Sequence, residues 1–442
     1  MMNLKNYCTI ITFILIAVKV NAQDTLTSAT VEQKSYQLYL DKDWSELTRF
    51  GTDAIDKGFN YYYLQLRVGI AYYEKKNYVF AEKYFLNALK FNSDDELILE
   101  YIYYCYLFNG RYQEARVWSK KFSSSLSEKI GTDKQSSVSL VMLEGGTKIT
   151  SQKSYPSKDP KNKKENYFNP PVYAQVGLNH YIKNKVSLFH ALTYFNQETF
   201  INKVSQVQYY LKASIPVKSN WLLSPSLHLI NTNVSSEITT STTDTLWPAG
   251  VPPHSQPPPG APPFKTTTTY TTIPNNSQSN YFIGSLAVQK TVKKIVFGIG
   301  STVLNMNNVT QYINSATLSF SPLGNSKFVL GCNGYAHTID NYKTTCVAAS
   351  PFIYIQPTKR LALKLNYFYN TKNNIVEDNG YLVNNSGDLT TSRYSILLDY
   401  SISKRVALYG LYQLENKYEA KQSFNYQYNV IVAGIKISPY KK

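Results

Sequence analysis

Residues 204–231 hold two runs with a strict period of two. In the first, Val207, Tyr209, Leu211, Ala213 and Ile215 alternate with Gln206, Gln208, Tyr210, Lys212 and Ser214. In the second, Trp221, Leu223, Leu227 and Leu229 alternate with Ser224, Ser226 and His228. Successive side chains of a strand point to opposite faces, so one face meets an apolar medium and the other a polar one. Between the runs, Val217-Lys218-Ser219-Asn220 is short enough for a hairpin. The same pattern recurs from Val138 to Ile437 and leaves few architectures open.

Fourteen such segments are predicted, at 138–151, 170–182, 185–196, 204–217, 220–233, 280–292, 295–305, 310–321, 327–338, 344–356, 360–370, 392–402, 406–416 and 423–437. Their number is even, and their length suits a tilted strand crossing a bilayer. Short connections, such as Lys183-Asn184, Lys218-Ser219 and Lys293-Lys294, alternate with long ones, such as 152–169, 235–279 and 371–391. That asymmetry is expected of a closed antiparallel transmembrane β-barrel in the outer membrane of a Gram-negative bacterium. Its short turns and both of its ends would lie in the periplasm. In hydrocarbon every backbone polar group needs an internal partner, so the last segment should pair with the first.

Composition agrees with this reading. The chain's 442 residues include 39 Tyr and 20 Phe, which suit strands and membrane interfaces. No apolar run after the N-terminus is long enough for a transmembrane helix. The net charge is +17, but Lys and Arg punctuate turns rather than gather in a recognition motif, so no nucleic-acid partner is expected.

At the start, Lys5 precedes an apolar run from Thr9 to Val18, and Val20-Asn21-Ala22 fits a small-residue cleavage site. Residues 1–22 thus read as a secretory signal peptide, with the mature chain beginning near Gln23. Cys8 stands too early for a lipoprotein. Cys105, Cys332 and Cys346 form no disulfide framework. Cys332 and Cys346 flank one predicted hairpin, but alternation puts them on opposite faces, which argues against a bridge.

From Ser28 to Phe122 the period becomes helical, and the sequence repeats every 34 residues. Leu47, Ala81 and Ala115 fall in register, as do Ala54, Ala88 and Phe122, and Tyr72 and Tyr106. The middle copy carries Gly69-Ile70-Ala71-Tyr72, then Ala81-Glu82-Lys83-Tyr84-Phe85, then Ala88. This segment resembles the tetratricopeptide repeat. It departs from that pattern at Gln65, Val68 and Ser93, and the outer copies carry Ser35 and Tyr103 at the glycine position. The resemblance implies helical hairpins over 23–125, packed through Gly69, Tyr72, Ala81, Phe85, Ala88, Tyr106 and Ala115. It also implies a concave surface for a periplasmic or envelope protein. Tyr61, Tyr62, Tyr63, Tyr101, Tyr103 and Tyr104 could line that groove or serve as packing. A polar linker, 126–137, then leads into the barrel, 138–442.

The fold class is therefore α + β multidomain, with helical repeats followed by a barrel of about fourteen strands. This layout resembles exopolysaccharide export proteins and the YaiO-like barrel family, which implies an envelope role without fixing a substrate.

No catalytic, metal or cofactor constellation stands out among the five histidines and four cysteines. His337, with Asp340 close by, is the one lone catalytic candidate, against an ordinary rim histidine. The inward set includes Gln206, Gln208, Lys212, Ser226, His228, Lys364, Arg393 and Asp399, polar with a few opposed charges. Such a lining fits a water-filled passage for a small solute or polysaccharide, and equally a hydrogen-bonded plug. Two loops are distinctive. Residues 153–165 are lysine-rich and could meet anionic headgroups or an acidic polymer. Residues 247–264 are proline-rich, favour polyproline II, and read as a surface contact, a lid or a solvated loop. Two functions follow: a non-enzymatic pore, export or assembly component docked through its repeats, or a non-conducting anchor holding the repeats at outer-membrane lipid.

Overall fold

The computed structural model describes residues 26–150, 170–198, 202–246, 265–306, 309–339, 344–370, 375–384, 388–419 and 423–439. The expected signal peptide, the lysine-rich and proline-rich loops and Asp340 lie outside them. The chain divides into two compact units, meeting between Tyr106 and Leu107.

In the first unit α1 (Ser28–Leu40), α2 (Trp44–Asp56), α3 (Tyr62–Glu74) and α4 (Tyr78–Ala88) precede α5 (Glu96–Phe108). Ser28, Tyr62 and Glu96 begin equivalent helices 34 residues apart; so do Trp44, Tyr78 and, in α6 (Tyr112–Trp118), Tyr112. Thr27, Asp43 and Asn77 cap their helices by accepting a hydrogen bond from a backbone N–H of the first turn. Small residues let the helices approach: a Cβ on Gly51 would stand 2.3 Å from Val68, and one on Gly69 would stand 2.7 Å from the Phe85 ring. The Tyr72 ring stacks on Tyr84 at 5.4 Å, and Phe85 stacks on Tyr101 of α5 at 4.7 Å. Ala81, Phe85, Ala88 and Tyr106 are buried, as is Ala115 in the second unit. Among the expected groove tyrosines, Tyr63 is exposed and Tyr103 is buried.

The second unit contains α6, α7 (Ser124–Ile130) and the barrel. Helix α7 occupies a stretch that reads as polar linker; Ser123 caps its start and Gly131, at φ 82°, ends it. The barrel strands are β1 (Val138–Thr150), β2 (Val172–Ile182), β3 (Val186–Glu198), β4 (Asn202–Val217), β5 (Trp221–Leu246), β6 (Lys265–Val292), β7 (Ile295–Met306), β8 (Val309–Phe320), β9 (Phe328–Ile339), β10 (Thr344–Ile355) and β11 (Leu361–Asn370). After β12 (Ile375–Glu377) and β13 (Leu382–Asn384), which stand apart, come β14 (Leu389–Ser401), β15 (Val406–Glu419) and β16 (Phe424–Ile437). Fourteen antiparallel strands close into a barrel, with β1 paired to β16 from Val141↔Ile437 to Thr150↔Tyr428. Closure between the first and last strands follows the expectation from sequence.

Period-two patterning governs the wall. Each barrel strand sets at least one large apolar side chain on the outside, from Leu143 on β1 through Ile299, 71% exposed, on β7 to Ile431 on β16. Short turns use left-handed backbone: Lys183 and Asn184, and likewise Ser219 and Asn220, have φ between 48° and 62°. Two consecutive residues of that kind match the twist of a tight hairpin.

Two of the expected long connections carry strands. Residues 235–246 and 265–279, expected as loop, are strand: β5 and β6 stay paired past the wall, from Glu237↔Pro274 to Leu246↔Lys265. β-branched threonines in Ser241-Thr242-Thr243 and Lys265-Thr266-Thr267-Thr268-Thr269 favour extended backbone, although neither face offers an apolar signal. The other segment is the long connection 371–391, within which residues 375–384 form the β12–β13 hairpin.

Candidate functional site: a hairpin inside the barrel

Residues 375–384 fold into the barrel and touch strands around its circumference. The turn Asp378-Asn379-Gly380 has φ of 50°, 57° and 86°. Three successive left-handed residues turn the chain sharply, and glycine carries the largest departure at no steric cost. A Cβ on Gly380 would stand 3.0 Å from Ser285 Oγ and 3.4 Å from Ile283, so the turn sits directly against β6.

The wall grips the turn by its carbonyls. Asn379 O accepts from Ser226 Oγ at 2.5 Å and from Tyr210 Oη at 3.2 Å. Gly380 O lies 2.7 Å from His228 Nδ1, which must carry the proton because a carbonyl only accepts. On the same imidazole Nε2 is 3.2 Å from Gln208 Oε1. Across the lumen, Gln175 Nε2 bonds Tyr381 Oη at 2.5 Å.

One ion pair fixes the base of the hairpin. Arg393 on β14 gives two hydrogen bonds to Glu377, at 2.8 and 2.7 Å, with both side chains at most 10% exposed. Removing one member of such a pair costs about 3–5 kcal/mol, because the other charge stays buried and unpaired. Above it is an apolar cluster in which Val376 of the hairpin joins Ile230, Ile283, Leu304, Met306, Ile313, Tyr335, Ala348 and Phe368 from the wall, with Val383 packed beside them.

Other stretches of the lining are polar. Glu144 on β1 accepts from Tyr409 Oη, from Gln175 Nε2 at 3.1 Å and from Tyr173 Oη at 3.4 Å. Glycines make room for these rings: a Cβ on Gly434 would fall 2.4 Å from Tyr409, and one on Gly146 would fall 2.5 Å from Tyr173. Lys148 pairs with Glu415 at 3.2 Å, and Lys436 pairs with Asp399.

The structure places the sequence-selected residues as follows. Ser226 and His228 hold the hairpin directly, and Arg393 holds it through Glu377. Gln208 reaches it through His228, and Gln206 accepts from Gln208 Nε2 at 3.0 Å. Asp399 is elsewhere in the lumen with Lys436. Lys364 lies over the Phe352 ring at 4.9 Å, and Lys212 stands on β4 one inward step from Tyr210. Sequence reasoning missed Glu377, Gln175, Tyr381 and the Glu144 cluster. Alternation could have marked Glu144 and Gln175 as inward; nothing local marks the hairpin residues.

His337 is fully buried, with Nε2 2.8 Å from Gln311 Oε1. Cys332 and Cys346 are unbonded; Cys332 is exposed and Cys346 half-buried, on opposite faces of adjacent strands. No group of three or more His, Cys, Asp or Glu side chains suited to a metal occurs among the described residues.

No family model and no curated protein matches this chain. Solved structures similar to it include the toluene transporter TbuX of Ralstonia pickettii, at 8% identity over 69% of this chain and 90% of that one, with a TM-score of 0.45. The toluene transporter TodX of Pseudomonas putida matches at 10% identity over 69% and 90%, TM-score 0.42. A FadL homologue of Pseudomonas aeruginosa matches at 10% identity over 69% and 90%, TM-score 0.40.

Proposed function

We propose that this chain is an outer-membrane channel whose lumen is closed by the β12–β13 hairpin, and that solute passes when the hairpin swings aside. The supporting observation is how the hairpin is held. Its polar contacts to the wall fall on a few side chains, Tyr210, Ser226, His228, Gln175 and Arg393, while the barrel closes without it. A segment that no wall strand depends on can leave without opening the sheet. Outer-membrane placement rests on the apolar outer face carried by every barrel strand, which hydrocarbon would cover. Short turns then face the periplasm.

The N-terminal helices act as a tetratricopeptide-type docking surface in the periplasm. Their 34-residue spacing supports this, and a periplasmic or envelope protein is the partner. No catalytic role is proposed.

Replacing residues 375–384 by a short Gly-Ser link tests the channel. In planar bilayers the wild-type protein should conduct rarely, and the replaced form should conduct steadily. A replaced form that folds yet stays silent would remove the channel reading. That result would favour the second reading, a non-conducting anchor for the helical repeats, which the apolar packing around Val376 supports.

A further inference from the structure

Six short turns, at 183–185, 218–220, 293–294, 321–327, 356–360 and 402–405, make one rim of the barrel. Each contains at least one lysine or arginine, and none contains an aspartate or glutamate. One exposed residue from each is Lys183, Lys218, Lys293, Lys327, Lys359 and Lys404. Lumen cations behave differently: Arg393, Lys148 and Lys436 each face a carboxylate. These six turns therefore carry exposed charge of one sign around that rim, from β2 to β15.

Two observations set the height of that arc. Exposed apolar side chains run up to the turns: Ile182, Val217, Val292, Phe320 and Ile355 each border one, and Ile402 opens the last. Charge thus begins where the apolar wall ends. In addition, Trp221 at the start of β5 is 39% exposed, and the Lys290 ammonium lies 4.7 Å over its ring while donating to Ser219 O in the adjacent turn. An aromatic ring bearing a cation at a strand end suits the boundary between hydrocarbon and headgroups.

We infer that this arc binds the phosphate groups of anionic phospholipids in the leaflet bordering the short-turn rim. The inference rests on the membrane reading above. An arc at the outer edge of the wall meets headgroups side-on, at the distance where surface charge is still unscreened. Phosphate in a soluble polyanion offers the same chemistry, and the experiment separates the two sources.

Full-length protein is placed in nanodiscs holding phosphatidylethanolamine in excess over phosphatidylglycerol, and the lipids it retains are read by native mass spectrometry. Wild type should enrich phosphatidylglycerol about two-fold or more over the bulk ratio, and added salt should erase the enrichment. The combined K183Q, K218Q, K293Q, K327Q, K359Q and K404Q variant should retain lipid at the bulk ratio. Heat-modifiable migration in gels reports whether that variant still forms its barrel, and the salt series on wild type stands if it does not. Entry into nanodiscs without enrichment, or enrichment unchanged by salt, would overturn lipid binding by the arc while leaving the membrane reading intact. Retention of soluble polyphosphate without lipid enrichment would overturn it too. Failure to enter nanodiscs at all would instead strike the membrane reading.

Discussion

Arg393 reaches from the barrel wall to both carboxylate oxygens of Glu377, the last residue of β12, at 2.7 and 2.8 Å. This pair joins a wall strand to the hairpin that we propose swings aside. Substituting Arg393→Ala should therefore loosen the hairpin by roughly the 3–5 kcal/mol attached to a broken buried pair. Single-channel recording would show the open state more populated by about a hundred-fold or more. Glu377→Ala should match it, and the double substitution should add little to either. Unchanged opening in both single variants would mean that the ion pair does not hold the gate.

Gly434 leaves the space that the Tyr409 ring fills. In Gly434→Val the ring must turn away, and Glu144 loses its Tyr409 donor. A hydrogen bond to a charged group contributes about 1.5–3 kcal/mol, so the barrel should lose heat resistance by that order. The temperature at which the heat-modified gel band appears measures it. Gly284→Ala is the control, because its nearest neighbour, the Phe282 ring edge, would stand an ordinary 3.5 Å from the new Cβ.

Gly69 plays the same part among the helices, against Phe85. Overpacking a tight helix contact costs about 1–3 kcal/mol, so Gly69→Val should lower the helical melting transition followed by circular dichroism. Barrel resistance to heat should not change. A variant melting with wild type would show that the two helices can part there without loss.

Acid should weaken the helical unit through Glu32. Its hydrogen bond from Arg67, at 2.7 Å, holds the Glu32 carboxyl below its ordinary value of 4.5. A group with a depressed folded value stabilises fully above the unfolded value, and that contribution is lost as pH falls through the folded one. Helical melting should hence fall below about pH 4.5, and Glu32→Gln should flatten part of that slope. The effect is small, since the Glu32 side chain is 42% exposed. Identical pH profiles for wild type and variant would exclude the pair as a source of acid sensitivity.

Much of the wall was legible because its physics is local. A strand such as β4 must show Val207 to one medium and Gln208 to another, and that alternation is written residue by residue. The 34-residue helical period was legible for the same reason. What escaped was structure whose partners are remote. Glu377 finds Arg393 only after β11 and β14 have paired, and its hairpin strands are three residues each, too short to show a period. The β5–β6 extension escaped for another reason. Polar on both faces, its threonine runs carry propensity but no alternation. His228 was read as facing the lumen; that it would hold a backbone carbonyl of another segment could not be read from either stretch alone.

The seam between β1 and β16 has a consequence for biogenesis. Strands far apart in the gene must meet before the sheet has no edges, so a ribosome can release no partly built cylinder that is safe in lipid. The nascent polypeptide must stay unfolded or chaperoned until its final strand has been synthesised. A premature stop before Phe424 would leave Val138–Thr150 and Val406–Glu419 as open ladders, destined for proteolysis rather than for a smaller cylinder.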